Sequence, residues 1–164
     1  LVKQHKEFTD LYEQYAPGIL KLCMGYTGDR TQAEDLLQEV FLSVWNNMNK
    51  FRQEASWKTW IYRIAVNTCL TYLRKRKLKT VDIDEHPVAQ LQEEKSNREQ
   101  EVQLLYICIS KLPEADRLLI SMVLEDQSYE EIAAVVDISV NNLRVKIHRI
   151  KKQLTEIYNQ YARL

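Results

Sequence analysis

The sequence predicts an all-α protein of two small helical domains joined by a flexible linker. Apolar residues recur at helical spacing through most of the 164 residues. All three glycines lie within the first 28 residues, whereas a β-sandwich or barrel needs turn residues throughout. Between about residue 79 and residue 96 this periodicity gives way to acidic and polar residues, which separate the two helical parts.

Composition argues against several other classes of protein. With 45% apolar and 28% charged residues, the chain is not typical of a disordered protein. The longest uncharged runs, such as residues 64–73, are shorter than the ~20 residues that span a bilayer, and no secretory leader opens the chain. Cys23, Cys69 and Cys108 are far apart and form no CxxC pair. We therefore expect a soluble, cytoplasmic protein without a disulfide framework, a metal or a cofactor.

Four helices are predicted in the N-terminal part. Apolar residues at helical spacing precede Pro17, which is expected to open a second helix that Gly28 ends. Thr31 begins the capping-box pattern Thr-Gln-Ala-Glu and a third helix. After a loop at residues 46–53, Ser56 is expected to cap a long fourth helix that ends in four consecutive basic residues.

The C-terminal part predicts a helix-turn-helix. Pro113, followed by acidic residues, marks the start of a helix, and Ser128 begins a second capping box. Ala133 is small enough for two helices to cross closely, Asp137 occupies the tight turn, and Ser139 can cap the next helix.

The last helix of this motif has an apolar face and an opposite polar face. Its polar face carries Asn141, Arg144, Val145, His148, Arg149 and Lys152. Arginine suits guanine edges, asparagine suits adenine, and lysine and arginine suit phosphates, so this face is typical of a helix that enters the major groove. A plain helical hairpin with a solvated basic face is the alternative.

Charge is segregated along the chain although the net charge is zero. Residues 50–79 carry a net charge of +8 and residues 138–164 carry +5. The intervening and preceding stretches are acidic, at −3 for residues 1–49, −4 for 80–100 and −6 for 101–137. Two basic blocks on one chain indicate two nucleic-acid contact surfaces, or two ordinary solvated helix faces.

The long N-terminal helix carries aromatic and basic residues together. Arg63 and Asn67 lie along its flank, one helical turn apart, near Trp57. Aromatic rings beside cations suit single-stranded DNA, because bases stack on rings while phosphates pair with charge. Trp60 is more consistent with the core. On the preceding helix, Asp35, Gln38 and Glu39 form a polar patch that, on its own, predicts only a solvated surface.

The combined pattern resembles the bacterial sigma factors. Residues 33–41, 51–52 and 60–68 resemble their second conserved region, and residues 112–114 and 128–154 resemble their fourth. With only these two regions and a short linker, the chain is similar to the extracytoplasmic-function group. The resemblance implies a region 2 domain at residues 1–78, a linker at 79–100 and a region 4 domain at 101–164.

The resemblance also implies roles for individual residues. The positions that grip the clamp helices of the polymerase β′ subunit match Asp35, Gln38 and Glu39. The positions that recognise and open the −10 element match Phe51, Arg52, Trp57, Arg63, Asn67, Lys75 and Arg76. The positions that read the −35 element match Asn141, Asn142, Arg144, Val145, His148, Arg149 and Lys152. Asn141 replaces a glycine common in the family, so the base preference is not expected to transfer directly.

This resemblance implies three partners. They are core RNA polymerase, which is contacted at its clamp helices and its β flap, promoter DNA, and an anti-sigma factor. Such a protein is not an enzyme, because the polymerase performs the chemistry. The alternative is a stand-alone helix-turn-helix regulator with a helical sensing or dimerising domain, which would bind DNA without polymerase. An enzyme is a third class, but the sequence has no Gly-rich phosphate loop, metal cluster or Ser/His/Asp arrangement.

Overall fold

A computed structural model describes residues 1–79 and 96–163 of the chain. The described residues form seven α-helices and one short 3₁₀ helix, with no strand among them, which confirms the all-α prediction. Most of the predicted linker, residues 80–95, lies outside the described residues.

The first helix, α1, is a single helix over Val2–Thr27, with Pro17 inside it. The prediction that Pro17 opens a second helix was therefore wrong. A proline within a helix costs about 3 kcal/mol. Here Leu11, Ile19 and Leu22 are buried on both sides of it, and their packing stabilises one continuous helix. The helix ends at Gly28, whose φ of 68° is left-handed, as predicted.

The second helix, α2, spans Arg30–Asn47 and packs Leu36, Val40 and Val44 into the core. Its cap is Asp29 rather than Thr31. The Asp29 carboxylate accepts hydrogen bonds from the backbone N–H groups of Thr31 and Gln32, at 2.8 and 3.2 Å. An acidic cap also complements the positive end of the helix dipole, which explains why the cap lies at Asp29, two residues before Thr31.

A 3₁₀ turn at Met48–Lys50 leads to the loop before α3, which spans Trp57–Lys79. The hydroxyl of Ser56 accepts a hydrogen bond from the Thr59 N–H at 3.1 Å, as expected of a cap. Helix α4 spans Asn97–Ser110 and so begins within the stretch predicted as linker, behind a capping box that Ser96 forms with Glu99. Helix α5 follows at Glu114–Leu124.

The predicted helix-turn-helix is present. Helix α6, Tyr129–Val136, starts at the capping box of Ser128 and Glu131. Asp137 forms the turn with a left-handed backbone, at φ 56° and ψ 50°. Ser139 then caps α7, Val140–Ala162, by accepting from the Asn142 N–H at 3.1 Å.

The N-terminal half (α1–α3) and the C-terminal half (α4–α7) pack together around one continuous apolar core. Helices α4 and α5 lie against α1, and α6 lies against α3. Arg117, which is buried on α5, joins the halves by donating to the carbonyl of Tyr26 at 3.2 Å and to that of Leu112 at 2.8 Å. The sequence indicated two helical domains but gave no sign of this shared core.

Candidate nucleic-acid and partner interfaces

The polar patch predicted on α2 is a real exposed face. Asp35, Gln38 and Glu39 are all exposed, and no hydrogen bond or ion pair ties them to the rest of the described chain. Leu42 continues the same face one turn further and is 61% exposed. Sequence analysis did not include this leucine in the polar patch.

The aromatic residues before and within α3 pack on one another. The rings of Phe51 and Trp57 are stacked with centroids 3.9 Å apart, and Trp60 lies 5.3 Å from Phe51. All three are half-buried, while Arg52 beside them is exposed. One face of the Phe51 ring is therefore covered by Trp57, and a base could stack only on the outer side of the pair.

The basic residues of α3 are divided between solvent and protein. Arg63 donates from both Nε and Nη2 to the carbonyl of Ala134, at 3.0 and 2.7 Å. Arg76 is half-buried and donates to the side-chain oxygen of Gln32 at 3.1 Å. Lys75 is exposed. Two of the predicted −10 cations thus already have protein partners.

Asn67 is exposed and lies between two grooves, both of which it lines. One groove, about 570 Å³, runs between α3 and the C-terminal half, with Arg63 and Lys146 on its walls. The other, about 560 Å³, lies between α2 and α3 and brings Asn67 together with Glu39 and Lys75. Residues predicted for polymerase and for the −10 element therefore share the groove between α2 and α3.

The predicted recognition face of α7 is uniform. Leu143, Ile147 and Ile150 are buried on the inner side. All of the predicted −35 residues are exposed, namely Asn141, Asn142, Arg144, Val145, His148, Arg149 and Lys152. No hydrogen bond or ion pair within the described chain engages these seven side chains, so the face is available to a ligand.

Two polar contacts between the halves escaped sequence analysis. The Tyr62 hydroxyl donates to Glu125 Oε2 at 2.9 Å, and Lys58 pairs with Glu131 at 3.2 Å. Burial raises the pKa of the Glu125 carboxyl to about 7, although Tyr62 and nearby lysines lower it in part. Burial also raises the pKa of Tyr62. The partners are 63 and 73 residues apart, and no local pattern could have paired them.

Within the described residues, no group of His, Cys, Asp and Glu side chains could hold a metal ion. None of the described helices is long and apolar enough to cross a membrane.

Comparison with known proteins places both helix sets in one family. The family model for sigma-70 region 2 matches residues 11–79, and that for sigma-70 region 4 matches residues 103–154. The ECF RNA polymerase sigma-E factor of Escherichia coli is 32% identical over 165 residues, covering 91% of this chain and 85% of that protein. The RNA polymerase sigma-H factor of Pseudomonas aeruginosa is 28% identical, covering 91% and 84%.

Solved structures share the fold. CnrH, in complex with the cytosolic domain of CnrY, matches with a TM-score of 0.72 at 18% identity, over 95% of this chain and 90% of that one. The sigma factor RpoE of Bartonella quintana, in complex with the anti-sigma factor NepR, matches with a TM-score of 0.75 at 20% identity, over 94% and 98%.

Proposed function

This chain belongs to the extracytoplasmic-function group of the sigma-70 family, and we propose that it binds core RNA polymerase and directs it to specific promoters. One observation carries the proposal. The two matched regions, residues 11–79 and 103–154, contain the two helix sets with exposed polar and basic faces. Polymerase performs the chemistry, and the chain works in the cytoplasm alongside it.

Polymerase binding is assigned to the face of α2. Asp35 and Glu39 supply carboxylates and Gln38 supplies an amide, all exposed and without a partner in the described chain. Carboxylates of this kind pair with basic helices such as those of the polymerase clamp. Leu42 supplies the apolar centre that such an interface needs to exclude water.

The −10 element is assigned to α3 and the loop before it. Extruding a base costs a few kcal/mol, and stacking on an aromatic ring returns roughly 1–3 kcal/mol per base. The outer side of the Phe51–Trp57 stack and the exposed Asn67 suit an unstacked base. The phosphates on either side would be met by Arg52, Arg63, Lys75 and Arg76.

The −35 element is assigned to the seven exposed residues of α7. In a helix-turn-helix, the N-terminal part of the second helix contacts base edges, and Asn141, Asn142 and Arg144 occupy that part. Arg149 and Lys152, two turns further on, suit phosphates. Because the two binding faces are on one chain, occupation of one element raises the effective concentration at the other.

An anti-sigma factor is proposed as the regulatory partner. Both solved structures described above are complexes with a second protein, and in one of them a sigma factor is bound to NepR, which is named as an anti-sigma factor. The groove between α3 and the C-terminal half touches both DNA-binding helices, so one inserted segment could block both.

The test is co-elution of the purified chain with sigma-free core polymerase, compared with the variant Glu39→Lys. Reversing this charge is expected to abolish stable co-elution, because it opposes the basic clamp surface. Glu13→Lys is the matched control, since Glu13 is also exposed but lies on α1, and it should co-elute like the unmodified chain. If Glu39→Lys co-elutes fully, the assignment to α2 is wrong. If the unmodified chain binds DNA but never co-elutes, a stand-alone regulator replaces this proposal.

A further inference from the structure

We propose that Val145 on α7 selects a thymine in the −35 element by packing against the C5-methyl group of that base. Val145 lies on the predicted recognition face of α7 and is 59% exposed. The proposal rests on the function proposed above and deepens it, because it names one base that this face selects and the chemistry that selects it.

The exposure of Val145 differs from that of the other apolar residues around it. The structure describes every residue from 141 to 152, and the other apolar side chains in this stretch, Leu143, Ile147 and Ile150, are buried against the core. A valine in solvent stabilises neither the core nor the helix, because β-branched residues have a lower helix propensity than alanine. Its apolar surface is therefore buried only when a ligand covers this face.

The neighbours of Val145 are polar groups that suit nucleic acid. Asn141 lies one helical turn before it, His148 and Arg149 lie about one turn after it, and all three are exposed. The sequence has no carboxylate from residue 140 to residue 155, so nothing on this stretch repels phosphate. A single apolar side chain among amides and cations matches a base edge, which offers one methyl group among polar atoms, better than it matches an apolar protein surface.

Thymine is the base whose major-groove edge suits a valine. Thymine presents a C5-methyl group there, whereas adenine and guanine present N7 acceptors and cytosine presents an amino donor. The side chain of valine has no hydrogen-bonding group, so against those other bases it would displace water without replacing the lost hydrogen bonds. Val145 therefore favours thymine through the buried methyl group and disfavours the other bases through their unpaired polar atoms.

The shape of the side chain limits where this thymine can lie. Valine is short and has one strongly preferred rotamer in a helix, so it loses little side-chain freedom on binding, but it reaches a base only if α7 lies deep in the groove. From Asn141 to Val145 the helix rises by about 6 Å, close to two base-pair steps of about 3.4 Å. The thymine is therefore expected within two steps of the base that Asn141 contacts.

The experiment removes the methyl contact from the DNA and from the protein in turn. The holoenzyme, or the free chain if no holoenzyme forms, selects a duplex from random sequence, and its affinity is measured by fluorescence anisotropy. Each thymine of that duplex is then replaced, one at a time, by deoxyuridine, which lacks only the C5-methyl group. At one thymine the unmodified chain should lose about three- to fivefold in affinity, because one buried methyl group is lost.

Val145→Ala should lose a similar factor on the thymine duplex, and deoxyuridine at that same position should then weaken binding no further. At every other thymine the two proteins should respond alike. The matched control is Val102→Ala, because Val102 is also exposed, at 47%, but lies on α4, and this variant should behave like the unmodified chain. Alanine has the higher helix propensity, so the midpoint of thermal unfolding of Val145→Ala should not fall.

The proposal is overturned if no thymine shows a deoxyuridine effect that depends on Val145, or if Val145→Ala weakens binding of the thymine and deoxyuridine duplexes equally. Full affinity of Val145→Ala for both duplexes also overturns it and points to a protein partner for the exposed valine. A chain that shows the Val145-dependent effect but never co-elutes with polymerase supports the thymine contact and overturns the proposed function. If neither the holoenzyme nor the free chain selects any duplex, both proposals fail.

Discussion

The two basic faces of this chain look alike in sequence but differ in the folded protein. On α7 the predicted DNA residues are all exposed, and no side-chain bond within the described chain engages them. On α3, Arg63 is held by Ala134 and Arg76 by Gln32. The comparison teaches that the predicted DNA residues of α7 are unengaged within the described chain, whereas two basic residues of α3 must break bonds to the protein before they can contact a phosphate.

The comparison between the faces of α3 and α7 fails most clearly if α7 does not bind DNA bases. We expect Arg144→Ala combined with Arg149→Ala to weaken binding of the holoenzyme to −35 duplex by roughly 30-fold or more, because one good base contact alone is worth about 1–3 kcal/mol. The duplex would be selected from random sequence by the holoenzyme and its affinity measured by fluorescence anisotropy.

Polymerase binding should be unchanged in this double variant, because α2 lies in the other half. Gln160→Ala, at an exposed position near the end of α7, is the control and should keep full affinity for the duplex. Equal loss of duplex binding and of co-elution with polymerase would point to misfolding, and unchanged duplex binding would remove α7 from the interface.

The α3 side of the comparison can be tested through pH, because the contact between the halves includes the Glu125 carboxyl. While the two halves are packed together (the closed form), the Glu125 pKa is about 7, against an ordinary value of 4.5 once the halves separate (opening) and water reaches it. The closed form therefore binds more protons between these values, so its stability is greatest below about pH 4.5 and falls as pH rises to about 7. The charged and titratable groups that face Glu125 are Lys21 from α1, Lys58 and Tyr62 from α3, and Tyr106 from α4.

We expect opening to increase about tenfold between pH 6 and pH 8, the shift that a single carboxyl with these two pKa values produces. The measurement is the rate at which Ellman's reagent modifies Val66→Cys, since Val66 on α3 is 7% exposed and faces α5 and α6. That rate is divided at each pH by the rate in the same chain with Glu125→Gln, which keeps an acceptor for Tyr62 but cannot ionise, and the division cancels the reactivity of the thiol itself. A ratio that does not change with pH would show that ionisation of Glu125 does not separate the halves.

Sequence reasoning was most successful where the signal is local. The capping box at Ser128, the Asp137 turn and the exposed face of α7 all depend on residues within a few positions of one another. Pro17 shows the limit of such reasoning, because a local helix breaker was overridden by apolar packing on both sides.

The engagement of α3 could not have been predicted in the same way. Arg63 bonds to the backbone carbonyl of Ala134, an acceptor that every residue carries, so its sequence gives no hint. From its sequence position at the end of α5, Glu125 is expected at the surface. Only the packing of α1 and α3 around it buries the carboxyl. The sequence therefore identified both basic faces, but it could not show which of them already has side chains bonded within the protein.

The smallest expected effect tests the fit of α1 against the Tyr62–Glu125 pair between the halves. Gly18→Ala would place a methyl group against the Tyr62 hydroxyl and 2.7 Å from Glu125 Oε2, so their hydrogen bond must shift. The loss is up to about 1 kcal/mol, and opening at position 66 should rise about threefold. Alanine also favours helix α1 by up to about 1 kcal/mol, so the midpoint of thermal unfolding should not fall with it. Gln14→Ala, on an exposed part of α1, is the control for helix propensity and should leave opening unchanged. If both variants open faster, the cause is the change in α1 itself. If only Gly18→Ala opens faster, the substitution has made the N-terminal half more ordered while weakening its contact with the C-terminal half.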